Sequence, residues 1–291
     1  MTKQNTDNNP LVSVVTPVLN GIKYLDITVR NVLDQDYVHT EHVFVDAGST
    51  DGSLELLKEY QSRYPERFII IEEFGKGIGT SVNIGLSRAR GDILTWLDSD
   101  DLYEPNALST VVDFFSANPA AQFLYGGCNM IDESGEIIAR FITRDFELPD
   151  ALYNRHHIYL SSVFYRRKVI DKVGGFNGIS NDLDFYVRVY QSFPMHRINR
   201  VLSNWRNHSD SISHGDGDTR SKIRKEKLRQ DCMLCIKYTR RFFAPRCLRY
   251  YVAMIRPLIN FLRPVMGPLY SFINNRLELD YYPFEGIKEK E

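Results

Sequence analysis

The strongest constraint on the fold is an alternation of short, β-branched apolar runs with segments of helical period. LVSVVTPV runs to Pro17, and residues 21–34 follow with Ile22, Leu25, Val29, Val32 and Leu33 at helical spacing. HVFVDAGS closes a second run on Asp46, and Asp51 stands at a helix start ahead of SLELLKEYQSRY. RFIIIEE, a helical stretch at 79–90 and GDILTWLDSDD continue the series. Pro105 then opens PNALSTVVDFFSANP, and AQFLYGG returns as a strand. Strands alternating with helices of about a dozen residues predict βαβ units and a mostly parallel sheet, an α/β fold. In such sheets ligands bind beyond the carboxyl ends of the strands, where Asp46 and the acids of ILTWLDSDD both fall.

Those acids raise a question of charge. Asp98, Asp100 and Asp101 follow directly on an apolar strand. Clustered negative charge repels itself and is poorly solvated beside apolar surface. The three form either a solvated turn capping the helix at Pro105, or a site for a divalent cation. Mg2+ and Mn2+ prefer carboxylate oxygen and usually bind together with substrate phosphates. No GxxxxGKS loop is present, so any phosphates would be held by the metal itself.

Charge also divides the chain. Its net −1 hides a segment at 220–263 with 13 Lys/Arg against 2 Asp/Glu, behind a body at 1–219 with 20 against 30. The expected organisation is a disordered tail at 1–10, a catalytic domain at 11–219 and a helical extension at 220–291. In the extension Arg249, Arg256 and Arg263 repeat every seven residues opposite an apolar face at 248, 251, 252, 255 and 259. That pattern fits an amphipathic helix on an anionic membrane surface; the alternative is a helix folded onto the acidic body or onto another copy. No module for nucleic acid is recognisable. The N-terminus lacks an apolar signal core, and the four cysteines show no disulfide spacing, which predicts reduced thiols in a cytoplasmic setting. Cys232 and Cys235 read as helix-face thiols, since zinc would need two further ligands. His156 and His157 precede the run IYLSSVFYRRKVIDKVGGF and read as acceptor-side surface or core.

Five stretches in order carry a resemblance: SVVTPVLNG, VDAGSTDGS, KGIGTSVNIGLSRARGDILTWLDSDD, GGFNGISNDLDFYVRV and WRNHSDSIS. Over residues 11–214 the chain resembles the family 2 inverting glycosyltransferases of GT-A fold. The resemblance implies a Rossmann-like sheet flanked by helices and a nucleotide-diphosphate sugar donor. It also implies a saccharide or lipid-linked saccharide acceptor and a divalent cation, Mn2+ or Mg2+. It places Pro17, Asp46, Lys76, Asn83 and Asp98 on the donor, Asp100 and His208 on the metal, and Asp182 as general base. Asp184, two residues on, is the alternative base, and Asp92 matches a recurring position or caps the strand start. The chain departs from the pattern at Ala47, Val82 and Asn181, where many members carry Asp, Arg and an acid, so the nucleotide stays open. The implied setting is cell-surface polysaccharide or glycolipid assembly at the inner face of the membrane. Two other classes are weighed: a sugar-1-phosphate nucleotidyltransferase, whose Gly-rich, Arg-containing loop is missing after the first strand, and a non-catalytic binding relative, which would have lost the acids.

Overall fold

A computed structural model describes residues 9–75, 77–148, 151, 158–177, 182–209, 229–230, 232–234 and 236–238. Residues 1–8 of the expected tail, Lys76, the His156–His157 pair, the boundary at 219 and the arginine-faced stretch at 249–263 lie outside these residues. The chain divides into two compact units, one of 1–145 with 158–208 and one of 146–157 with 209–291. The first holds the elements that follow.

Among the described residues a nine-stranded sheet runs in the order β3-β2-β1-β4-β8-β6-β9-β5, with β7 paired to β6. Its first half is the βαβ series. β1 (Val12–Val18), α1 (Ile22–Leu33), β2 (Thr40–Asp46), α2 (Ser53–Arg63), β3 (Phe68–Glu72), α3 (Ile78–Arg88) and β4 (Ile93–Trp96) alternate. β1 pairs in parallel with both β2 and β4, and β2 with β3. The two-residue β5 (Leu102–Tyr103) leads to α4 (Ala107–Ala117), which starts two residues beyond Pro105 after Asn106 in a left-handed conformation. β6 (Phe123–Ile131) and β7 (Ile137–Phe141) form an antiparallel hairpin. β8 (Val163–Arg166), α5 (Arg167–Val173), α6 (Asp182–Tyr190) and β9 (Met195–Arg206) complete the order.

The parallel half is the part that apolar runs foretell, since its central strands are buried on both faces. Every residue of β2 is buried, and only Pro17 of β1 is not. On one face Val18, Leu25, Val29, Phe44, Leu57 and Phe68 close α1 and α2 onto the sheet. α4 extends the same side through Leu108, Val111 and Phe115 against Val12, Val14 and Ile93. On the other face α3 comes so near that a Cβ at Gly85 would collide with Val15. The second half of the sheet is mixed: β4–β8, β6–β8 and β5–β9 are antiparallel, while β6 and β9 run parallel.

Helix starts are capped across the chain. Asp51 Oδ1 accepts from the Ser53 amide and hydroxyl, while its Oδ2 accepts from the Ile22 amide, so one carboxylate serves both α1 and α2. Its carboxyl is held below the usual range by those donors against the opposing effect of burial.

His42 on β2 is enclosed. Its ring lies 3.9 Å from Phe44 and 6.0 Å from Phe68, Nε2 meets the Thr16 hydroxyl at 2.8 Å, and Nδ1 is buried with no partner among the described residues. Burial, and then the Arg67 charge, lower its pKa to about 3. The imidazole is therefore neutral in the native state, whereas the unfolded chain takes up a proton near pH 6.5. Its contribution to stability is intact above pH 6.5 and is lost as pH falls from there toward 3, at up to roughly 1.4 kcal/mol per pH unit. Urea unfolding at pH 6.5 and pH 5 should show the wild type losing roughly 1–2 kcal/mol more than His42→Gln; equal losses would mean that His42 carries none of the acid sensitivity.

Candidate functional site

The parallel pairing puts the carboxyl ends of β1, β2 and β4 on one edge of the sheet, and the candidate residues gather there. Asp46, the last residue of β2, is buried, and its Oδ2 accepts from the amides of Gly48 and Ser49 at 2.9 and 3.0 Å. The turn is possible because Gly48 takes φ +101°. Asp46 Oδ1 is buried with no partner among the described residues, an acceptor with unmet hydrogen-bonding capacity. Pro17 stands beside it in register with Val45. Asn20 clips this loop to its own: its side-chain Oδ1 accepts from the Thr50 main-chain amide, and its main-chain N–H donates to the Ser49 hydroxyl.

Beyond β4 the acids divide their work. Asp98 Oδ1 accepts from the Trp96 indole N–H at 2.8 Å. Its side chain is partly open to solvent but set among protein atoms, and burial, then the charge of Asp100, push its pKa up to about 7. Asp101 is turned inward. Its Oδ1 accepts from the Arg206 amide at 3.0 Å, and burial, then Asp100 and Asp98, hold it well above the usual carboxylate range. Asp100 Oδ2 lies 2.8 Å from His208 Nε2, across 108 positions of sequence.

Arg206, the last residue of β9, organises this cluster. Its guanidinium donates to the carbonyls of Asp100, Asp132 and Glu133 at 3.0 to 3.2 Å, and lies 4.6 Å over the Tyr24 ring. Tyr24 also packs at 4.8 Å on His208. A buried cation beside buried acids relieves part of their mutual repulsion, and its planar fork fixes three carbonyls at once. Arg206 was not singled out from the sequence. The available signal was a charge at the end of an otherwise strand-like run, two residues before His208.

Asp100 Oδ2 and His208 Nε2 are hydrogen-bonded to each other, so an ion held here would replace that bond; the carboxylate is a ligand that Mn2+ and Mg2+ prefer. Among the described residues no third His, Cys, Asp or Glu joins them. The remaining positions would fall to oxygens of substrate or water, as is usual for these ions. The residues fit the ion that the sequence resemblance implies.

Asp182 begins α6 and is partly exposed, whereas Asp184 is buried and engaged: its Oδ2 accepts from Arg188 Nε at 2.8 Å and from Asn177 Nδ2 at 3.0 Å. Asn83 is also engaged, donating to the Phe176 carbonyl and accepting from the Phe176 amide at 2.7 and 2.8 Å. Asp92 bonds main chain at the start of β1, accepting from the Leu11 amide, which is the capping role.

Comparison with known proteins supplies the family. Residues 13–174 match the model of glycosyl transferase family 2. The chondroitin synthase of Escherichia coli is 30% identical over 226 residues, 75% of this chain and 31% of its own length. This chain thus spans about a third of that relative. Among solved structures, S. aureus TarS 1-349 in complex with UDP-GlcNAc superposes with a TM-score of 0.60 at 15% identity, covering 92% of this chain and 88% of that one. The mannosyltransferase PcManGT from Pyrobaculum calidifontis, in complex with GDP-Man and Mn2+, gives 0.58 at 17% identity, covering 94% and 77%. These two likenesses establish the GT-A fold.

The load on Arg206 is measurable without a substrate. Arg206→Met removes the buried cation and leaves three carbonyls and the acids unmatched, so stability should fall by about 3 kcal/mol or more in urea unfolding. Arg206→Lys keeps the charge but not the fork and should recover less than half of the loss. A change below about 0.5 kcal/mol in Arg206→Met, typical of neutral surface sites, would remove Arg206 from this role.

Proposed function

Because the chain belongs to glycosyl transferase family 2, we propose that it transfers a sugar from a nucleotide-diphosphate sugar to a saccharide hydroxyl, with inversion at the anomeric carbon. One observation carries the reading. Asp100 and His208 meet at 2.8 Å at the carboxyl edge of the sheet, beside a buried Asp46 oxygen that has no partner among the described residues. The relatives support the substrate class: TarS binds UDP-GlcNAc, PcManGT binds GDP-Man with Mn2+, and the E. coli relative is a chondroitin synthase. A growing polysaccharide is the acceptor class proposed.

The roles proposed are those the family resemblance implies. Asp46 Oδ1, with Pro17 beside it, accepts a hydrogen bond from the nucleotide's base or ribose. Asp98, oriented by Trp96, takes a hydroxyl of the ribose or donor sugar. Asp100 and His208 would hold Mn2+ or Mg2+, and the ion would supply Lewis-acid stabilisation of the charge that develops on the leaving nucleoside diphosphate. Asp182 takes the proton of the attacking hydroxyl, a transfer worth ~10²–10⁴ in rate when positioned. Asp184 is less suited to that task, because its carboxylate already serves Arg188 and Asn177.

Two measurements test the assignment. Asp100→Ala should abolish the Mn2+-dependent part of UDP or GDP binding in calorimetric titration; unchanged affinity would end the metal role. Asp182→Asn should keep nucleotide affinity yet cut transfer by ~10² or more. Normal transfer by Asp182→Asn beside a dead Asp184→Asn would move the base by two residues.

The arginine-faced sequence at 249–263 supports a further part of the reading, attachment to anionic membrane surface near a lipid-linked or membrane-bound acceptor. Full-length protein should co-sediment with phosphatidylserine vesicles at low salt, and less as salt rises. A variant with Arg249, Arg256 and Arg263 changed to Gln should lose most of that binding; equal sedimentation would end the membrane reading.

A further inference from the structure

The turn at 174–177, between α5 and the base-bearing helix α6, is gripped from both sides. From α3, Asn83 accepts from the Phe176 amide and donates to the Phe176 carbonyl, pairing with that residue's main chain as a neighbouring strand would. From α6, Arg188 donates through Nη2 to the Gly175 carbonyl at 2.7 Å and through Nη1 to the Val173 and Gly174 carbonyls. Asp184 of the same helix holds both Arg188 and Asn177. The turn is therefore tied to α6 by a charged clamp and to α3 by a single carboxamide.

Phe176 connects the same turn to the donor side. Its ring meets Trp96 edge-on at 5.1 Å and Phe185 of α6 at 4.5 Å. Trp96 in turn holds Asp98 through its indole N–H. Asp98 at the end of β4 and Asp182 at the start of α6 are thus joined through Trp96, Phe176 and Phe185. Gly175 admits this closeness: a Cβ there would overlap Asn83 Oδ1, and its nearest neighbours are all atoms of the Asn83 carboxamide.

We propose that Asn83 is a positioning residue for the general base, fixing the 174–177 turn so that α6 presents Asp182 at a set place relative to Asp98. The inference rests on the reading of Asp182 as base. It differs from a donor contact by Asn83, because both ends of the carboxamide are already engaged with Phe176. A positioned base raises turnover without adding ground-state affinity, so the two roles separate in kinetics.

The test is transfer kinetics with a panel of UDP- and GDP-sugars including UDP-GlcNAc and GDP-Man, together with calorimetric Kd for UDP and GDP and hydrogen exchange of the α6 amides. Asn83→Ala should lower kcat tenfold or more, leave nucleotide Kd within about twofold and speed exchange in α6. Gly175→Ala, which displaces the same carboxamide from the other side, should reproduce the effect. The double variant removes the clash with its cause and should be no slower than the slower single variant, because the two changes break one contact. A raised Kd at unchanged kcat would make Asn83 a donor contact and overturn the proposal. A lowered Tm with unchanged kcat would reduce it to bracing and overturn it too. A wild type that turns over no nucleotide sugar in the panel would instead sink the transferase reading, and this one with it.

Discussion

Three carboxylates at the end of one strand set the terms for the rest of the fold. Asp98, Asp100 and Asp101 follow the buried β4, and acids so close together cannot all ionise cheaply in poorly solvated surroundings. The protein answers from β9, a strand more than a hundred residues away in sequence. Arg206 donates its amide to Asp101 and its guanidinium to the carbonyl of Asp100, and His208 meets the Asp100 carboxylate. β9 lies parallel to β6 and antiparallel to β5, so its last residues arrive beside the acid loop. The same guanidinium binds the hairpin carbonyls of Asp132 and Glu133, linking the β6–β7 turn to the site. Loss of this one side chain would disturb three loops.

The division of the sheet follows the division of tasks. The parallel half, β3-β2-β1-β4, builds a strand edge with Asp46 and Asp98, and its helices cover both faces. The mixed half adds Arg206 at the end of β9, His208 two residues beyond it, and the helix that starts with Asp182. The halves are joined by β8 pairing antiparallel to β4, and also by the turn that Asn83 holds. Neighbouring carboxylates accordingly have distinct duties. Asp98 is held by an indole, Asp101 is turned inward to Arg206, Asp100 meets His208, and Asp184 is committed to Arg188.

Much of this was legible in the chain. The βαβ series through β4, the helix that follows Pro105 and the strand that returns at AQFLYGG could be read because apolar period and turn residues are local properties. Asp100, His208 and Asp182 could be singled out as candidates because five motifs stand in order, and the match over residues 13–174 bears out the family resemblance itself. The helix at Pro105 starts later than expected because Asn106 takes a left-handed conformation that no apolar period records.

The sequence by itself determined the parallel half, the acidic strand ends and the candidate acids, since strand period and residue type act over a few neighbours. Only the tertiary structure decided which acid is buried and engaged and which stays partly open. Asp182 and Asp184 are two residues apart and chemically alike, but one starts a helix at the surface while the other is buried against Arg188. Asn83 resembles a donor contact in its motif, but its partner Phe176 lies 93 residues downstream. Arg206 resembles any strand-end arginine until the fold sets it over Tyr24 and against three carbonyls. Burial, charge compensation and hydrogen-bond pairing depend on residues far apart in the chain, so they exist only once the two halves of the sheet have met.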